Sequence, residues 1–242
     1  MEEDLHEYHG KNIEVSYDHN RCIHVRECVE GLPGVFDPNK RPWIDADNAD
    51  ADEVARVIER CPTGALHYER TDAGAPERIP SSNTVTATAN GPLYLHGDIV
   101  IRSHDEVVLE DTRVALCRCG HTRNEPLCDN NHARVFEADG AESADTTVAE
   151  DIEGRDVEEG DTANVNNEEG GDDRPDGRLI VTPTPNGPII LEGAFELQHG
   201  GELTRLEEAT LCRCGGSGTK PFCDGTHAKI GFTTDAEGRN EK

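Results

Sequence analysis

Aromatic residues make up only 4% of this 242-residue chain, with a single Trp and a single Met. Hydrophobic residues reach only 34%. That supply is thin for one deep core, and small cores stapled by metal are the expectation. Lysine is scarce: Lys11, Lys40, Lys220, Lys229 and Lys242 are all there are, and most basic side chains are Arg. Against 23 basic residues stand 50 acidic ones, a formal charge of −27. Such a field disfavours nucleic acid and anionic membrane surfaces as partners. No apolar run approaches membrane-spanning length, and residues 1–20 are charged and lack the apolar stretch of a signal peptide. A cytoplasmic protein is the expectation, and there nine cysteines read as metal ligands rather than disulfides.

The acidity has two sources. Residues 139–177 carry 15 acidic and 2 basic side chains, a net of −13, with no aromatic residue and no periodicity. This stretch reads as a disordered, charge-swollen linker. The remaining −14 is spread over the rest of the chain, an acidic, Lys-poor pattern like that of halophile proteins, where salt screens self-repulsion.

What the chain does have is one metal-ligand pattern, C-x-C-x8-C-x3-H, written twice. Cys117, Cys119, Cys128 and His132 form one copy, and Cys212, Cys214, Cys223 and His227 form the other, displaced by 95 residues. Three thiolates and one imidazole complete a four-ligand shell for a soft metal or a cluster. The duplication extends upstream, where Asn90-Gly91-Pro92-Leu93-Tyr94-Leu95 pairs with Asn186-Gly187-Pro188-Ile189-Ile190-Leu191. Strands are expected at 85–89 and 179–184, with further ones at 99–102 and 194–197. Each copy, 84–138 and 178–238, thus reads as a few short strands followed by a metal loop. Pro126 and Pro221 occupy matching loop positions.

The chemistry of each position follows from its spacing. A C-x-C pair sets two thiolates close together, as one iron of a diamond-shaped cluster needs, and the Cys–Asp–x–x–His segment brings a thiolate and an imidazole to a second iron. Asp129 and Asp224 are expected to cap a short helix, whose amides favour an electron-rich group. A His ligand raises the reduction potential above that of an all-thiolate site. A zinc knuckle would use the same ligands, although zinc sites more often have C-x2–4-C spacing. The glycine-rich run 215–220 precedes Pro221 rather than a helix, so it is not a phosphate loop.

The second copy, Cys212-Arg213-Cys214-Gly215-Gly216-Ser217 with Pro221-Phe222-Cys223-Asp224-Gly225-Thr226-His227, resembles the CDGSH iron–sulfur family at every position of its pattern. The first copy keeps Cys117, Cys119, Thr122, Pro126, Cys128, Asp129 and His132 but has Asn130 and Asn131 where Gly and a small residue are usual. If that Gly is left-handed, Asn is the next-best residue. The resemblance implies one [2Fe–2S] cluster per copy, and two copies packed as an intramolecular pseudo-dimer.

Upstream, Cys22, Cys28 and Cys61-Pro62 have C-x5-C…C-P spacing. With Pro33-Gly34-Val35-Phe36-Asp37 and Pro42-Trp43-Ile44, they resemble a divergent single-cluster ferredoxin. Val25 stands where a four-iron ferredoxin would have Cys, so the resemblance implies a [3Fe–4S] cluster, or a [4Fe–4S] cluster with a non-Cys ligand. His24 is the nearest possible fourth ligand. Around these cysteines, residues 11–70 read as one domain. Ile13, Val15 and Tyr17 alternate as a strand, while Val54, Val57, Ile58 and Cys61 fall at helical spacing behind Asp50 and Glu53. Pro62 is expected to stop that helix just after Cys61, and residues 65–68 to return as a strand. Residues 74–82 read as a linker. His6, His9, His19, His67, His96, His104, His121 and His199 lack partners at ligand spacing and read as surface or loop residues.

The expected fold is α+β: a small ferredoxin-like domain followed by two β-rich CDGSH repeats. The expected function is single-electron transfer, with a redox protein or an iron–sulfur acceptor as partner. Cluster transfer or redox sensing is the alternative, and a zinc-stabilised adaptor is a third reading. No catalytic triad, nucleotide fingerprint or paired catalytic carboxylates can be read, so no enzyme activity is expected.

Overall fold

The computed structural model describes residues 4–103, 106–141 and 177–234. Nearly all of the acidic 139–177 stretch, and His104, lie outside the described residues. The described chain is mostly β with few helices, and none of those is long and apolar enough to cross a membrane.

The first unit is an antiparallel sheet of β1 (Leu5–His9), β2 (Ile13–Asp18) and β3 (Leu66–Arg70), in that order. Ile13, Val15 and Tyr17 point into its core, as the alternation of β2 predicts. Strand β1 adds an edge ahead of residue 11, and its LHEYH sequence is mostly exposed. Asp18 then caps a single 3-10 turn, His19–Arg21, by accepting from the Asn20 amide at 2.9 Å. After the short α1 (Glu27–Gly31), helix α2 (Ala51–Ile58) packs Val54, Ala55, Val57 and Ile58 onto the sheet. Asp50 caps α2 by accepting from the Asp52 amide.

The expectation that α2 runs to Cys61 is corrected. The Arg60 and Cys61 amides bond back to Val57 and Ile58, at 3.3 and 2.9 Å, in tighter i→i−3 fashion. The helix therefore closes at Ile58 and leaves Cys61 on a turn. The stretch 74–82 is also more than a linker, because Glu77 pairs with both His67 and Arg113.

The rest is a six-stranded sheet in which the two repeats interleave. The first repeat gives β4 (Thr84–Ala87), β5 (Leu93–Ser103) and β6 (Glu106–Leu116), and the second gives β7 (Leu179–Pro183), β8 (Ile189–His199) and β9 (Glu202–Leu211). Each 11-residue strand, β5 and β8, extends the single short segment expected at 99–102 or 194–197 back to Leu93 or Ile189. Its first half pairs antiparallel with its own repeat's opening strand, and its second half pairs parallel with the other repeat's: β5 with β4 then β7, β8 with β7 then β4. The change of partner falls at a bulge in each, at His96/Ile99 and Glu192/Phe195. Gly97 sits in the first bulge, where a Cβ would stand 2.1 Å from the Asn83 side chain. A shared aliphatic core from Val85, Leu95, Ile99, Ile101, Leu191 and Phe195 fills the centre.

The histidines read as surface or loop residues need one correction. His67 lies on β3, His96 on β5 and His199 on β8, all only partly exposed. Burial, with the Arg113 charge, lowers His96 to about 4.

Candidate metal centres

Each metal loop begins where the last strand of its repeat ends, β6 or β9. The loop folds back so that the Cys117 amide donates to the Pro126 carbonyl at 2.9 Å and the Cys212 amide to the Pro221 carbonyl at 2.7 Å. The Cys128 and Cys223 amides donate to Ala115 and Thr210, at 2.8 and 2.9 Å. These bonds zip the third cysteine onto the strand that delivers the first, eleven residues earlier in the chain.

The donors gather as pairs. Cys117 Sγ lies 3.6 Å from Cys119 Sγ, and Cys128 Sγ lies 3.2 Å from His132 Nδ1. In the second repeat Cys212 and Cys214 are 3.9 Å apart, and Cys223 lies 3.4 Å from His227 Nδ1. Tetrahedral coordination with metal–sulfur bonds of about 2.3 Å and metal–nitrogen bonds of about 2.0 Å has edges of about 3.8 and 3.5 Å. The pairs therefore match the edges of metal tetrahedra. Among the described residues, no three His, Cys, Asp or Glu donors converge to hold one metal ion.

Backbone amides prepare the sulfurs for negative charge. The Cys119 thiol, aided by the amides of Cys119, Gly120 and Thr122, outweighs burial and lowers Cys117 to about 6. Cys214 does the same for Cys212, also about 6, with the Ser217 and Gly215 amides and the Lys220 charge. One thiolate per pair is thus favoured near neutral pH, as metal capture needs. The Asn130 amide reaches Cys128 Sγ at 3.4 Å, and the Gly225 amide reaches Cys223 Sγ at 3.5 Å. Both residues are left-handed, with φ of 69° and 81°, which explains the Asn-for-Gly exchange.

Asp129 and Asp224 do not cap helices, contrary to expectation. The helices beside them, α3 (His132–Val135) and α4 (Thr226–Lys229), are single turns without side-chain caps. Each carboxylate instead braces its loop: Asp129 accepts from the Arg123 and Asn131 amides, and Asp224 from Gly218 and Thr226. A one-turn helix has too little backbone to outcompete these turns.

The two sites touch. A Cβ on Gly120 would stand 2.8 Å from the Cys214 carbonyl oxygen, and one on Gly215 would stand 2.7 Å from that of Cys119. With φ of 75° and 78°, these glycines let the two C-x-C loops pack against each other. Between the paired cysteines sit Arg118 and Arg213, among the most buried of the described side chains. Arg213 pairs with Glu125 of the other repeat's loop, whereas Arg118 donates to the carbonyls of Gly91, Thr88 and Asp139. Phe136 and Phe232 cover the two guanidiniums at 5.2 and 5.5 Å. The sequence reading missed these arginines, although an Arg in both C-x-C pairs was a signal.

In the first unit, Cys22, Cys28 and Cys61 line one narrow cavity together with His24, Val25 and Trp43. Burial and the neighbouring Cys61 and Cys22 raise Cys28 to about 12, and burial also raises Cys22. Both thiols are held protonated, so capture of a metal there would release protons. The loop between the first two cysteines holds His24 and Arg26 left-handed, at φ 59° and 77°. Non-Gly residues there cost about 1–3 kcal/mol each, a strain that clusters at functional sites. His24 Nδ1 lies 3.7 Å from Cys22 Sγ.

These donor sets are rich in thiols and divide into one cysteine trio and two quartets, each of three cysteines and a histidine. They are those of an iron–sulfur protein. Comparison with known families agrees. Residues 8–71 match the divergent 4Fe-4S mono-cluster family, and residues 90–133 and 186–228 each match the iron-binding zinc finger of CDGSH type. The chain belongs to these families, with one mono-cluster domain followed by two CDGSH domains. The uncharacterized protein YjdI of Escherichia coli K12 is 39% identical over 61 residues, which cover 25% of this chain and 80% of that protein. Its counterpart in Escherichia coli O157:H7 matches to the same extent. No solved structure matches the chain.

Proposed function

We propose that the protein is a single-electron carrier with three iron–sulfur centres. Cys117, Cys119, Cys128 and His132 would hold one [2Fe–2S] cluster, and Cys212, Cys214, Cys223 and His227 a second. Cys22, Cys28 and Cys61 would hold a [3Fe–4S] cluster, or a [4Fe–4S] cluster with His24 as the fourth ligand. When bound, such centres accept and release one electron at a time. The observation that carries this reading is the pairing of donors at tetrahedral edges. Two pairs, each sized for one metal, favour a two-iron group over a single zinc ion.

The chain's residues supply the surroundings. The Cys119, Gly120 and Thr122 amides stabilise negative sulfur at the first site, and those of Gly215 and Ser217 at the second. The protein is read as a monomer with an internal pseudo-two-fold, working in the cytoplasm without enzymatic activity. Iron, zinc and acid-labile sulfide analysis with EPR on anaerobically purified protein tests this. About 7 to 8 irons per chain are expected, and zinc without sulfide would overturn the reading.

Cluster transfer is the second reading, favoured by the exposure of the second site. Cys223 and His227 are only partly buried, and Phe222 beside them is 42% exposed. Incubation with an apo-ferredoxin separates the two: loss of cluster to the acceptor supports transfer, and reversible reduction without loss supports electron carriage.

A further inference from the structure

Among the described residues, the first unit is bolted to the first CDGSH repeat alone. Arg21 Nη1 pairs with Asp111 of β6 at 2.6 Å, and its Nη2 donates to the Thr63 and Arg113 carbonyls at 2.9 and 3.0 Å. Arg113 reaches back to the Ile58 and Leu66 carbonyls and to Glu77. His67 completes the clamp, with Nε2 3.2 Å from Asp111 and Nδ1 3.0 Å from Glu77. Gly64, three residues after Cys61, lies so close to β6 that a Cβ would stand 2.3 Å from the Arg113 carbonyl. Asn124, inside the first metal loop, donates to the Asn20 carbonyl at 2.8 Å.

What this clamp presses together is the material between two ligand sets. Ile23, which follows Cys22 directly, is 5% exposed and packs in one cluster with Ala115, Cys128 and the Tyr94 ring. The second repeat has none of this equipment. Ile190 stands in place of Tyr94, Leu206 in place of Asp111, Glu208 in place of Arg113 and Thr210 in place of Ala115.

We infer that Ile23 and Tyr94 are positioning residues that bridge the mono-cluster site to the first CDGSH site, making that site the sole direct exchange partner of the N-terminal centre. The second CDGSH site communicates with it by way of the first, across the Gly120/Gly215 contact and the Arg213–Glu125 pair. This inference rests on the iron–sulfur reading above. In the exchange one electron leaves one centre, oxidising it by one unit, and reduces the other by one. No bond forms or breaks.

The test uses the full chain with iron and sulfide content already established, so a protein without clusters refutes the underlying reading before this one is reached. His132→Cys and His227→Cys assign the two CDGSH EPR signals. Dipolar broadening by the N-terminal centre should fall on the signal altered by His132→Cys. Broadening of the other signal alone, or of both equally, overturns the inference. After pulse-radiolytic reduction, re-equilibration between the N-terminal and first CDGSH centres should slow several-fold in Tyr94→Ile and Ile23→Ala. It should stay near wild type in Tyr94→Phe, which keeps the ring. Unchanged rates in Tyr94→Ile overturn the bridging role. Hydrogen exchange at β3 and β6, which does not depend on redox activity, should loosen together in Asp111→Leu, and independent exchange of the two strands would overturn the clamp.

Discussion

The two CDGSH repeats share ligands, loop bonds and buried arginines, yet they solve the same electrostatic problem differently. In the second repeat Arg213 finds a carboxylate, Glu125, across the repeat boundary. In the first, the position equivalent to Glu125 on the opposite loop is Lys220, which cannot pair with a cation. Arg118 turns to backbone carbonyls instead, and burial lowers it to about 10. Lys220 joins Arg118 near Phe136, 5.9 Å from the ring centroid. One arginine is thus neutralised by an ion pair, whereas Arg118 bonds to backbone carbonyls and carries its charge toward Cys212 and Cys119 alike, with Lys220 also on the Cys212 side. A net positive surrounding favours the reduced, more negative state of a bound cluster, so identical ligands need not give identical potentials.

The largest effects should come from ligand removal. Cys119→Ser and Cys214→Ser should each remove about two irons per chain, counted by chemical analysis. If either loses all iron, the sites are not separately loaded and the comparison collapses. Next in size is the ion pair. Glu125→Ala takes the carboxylate from buried Arg213 and should destabilise the fold by about 3–5 kcal/mol in urea unfolding. Lys220→Ala, at the equivalent position, should cost only about 1 kcal/mol, since that ammonium gives up a hydrogen bond to the Ser217 carbonyl rather than a buried ion pair. Equal costs would mean the loops are symmetric in energy as well as in shape.

A smaller effect concerns the clamp that distinguishes the repeats. Burial alone would lower His67, but Asp111 and Glu77 outweigh it and raise the imidazole to about 9, against the opposing charges of Arg113 and Arg21 nearby. A pKa raised on folding stabilises the protein fully below the unfolded value of about 6.5, and that contribution disappears as pH rises through about 9. His67→Gln should therefore cost about 1–2 kcal/mol at pH 6, after allowing for the solvent at its edge, and little at pH 10. A pH-independent difference would remove the charge from the account. Smallest is the left-handed turn. Nothing lies within 4 Å of a Cβ on Gly225, so Gly225→Ala should cost only its backbone strain, about 1–2 kcal/mol by thermal unfolding. Gly225→Asn, copying the first repeat, should cost less.

The donor pairs were legible because C-x-C and C-x3-H are local spacings that no tertiary contact needs to complete. Asn130 as a stand-in for a left-handed Gly was legible for the same reason. Strand β1 was not: LHEYH is polar on both faces, so no alternation betrays an edge strand. Nor was the end of α2 at Ile58, where a tight final turn overrode the stop signal at Pro62. Glu125 with Arg213, and Arg113 with Leu66, unite residues far apart in sequence, and no pattern in either segment announces the other. The interleaving of β4 with β8 and of β5 with β7 was hidden too. A strand bent at Gly97 or Gly193 shows only its second half as a strand until both of its partners are known.

The interleaved sheet has a consequence for how the molecule can change. In a symmetric pair of separate subunits, every substitution appears on both sides, so a carboxylate acquired at the position of Glu125 would arrive twice. Here the two halves are joined in one chain and exchange their opening strands, so each position in a repeat is inherited independently of its twin. Covalent fusion thereby removes the constraint of symmetry while keeping its architecture. Glu125 against Lys220, Tyr94 against Ile190 and Asp111 against Leu206 at matching positions are differences that a pair of identical subunits cannot hold.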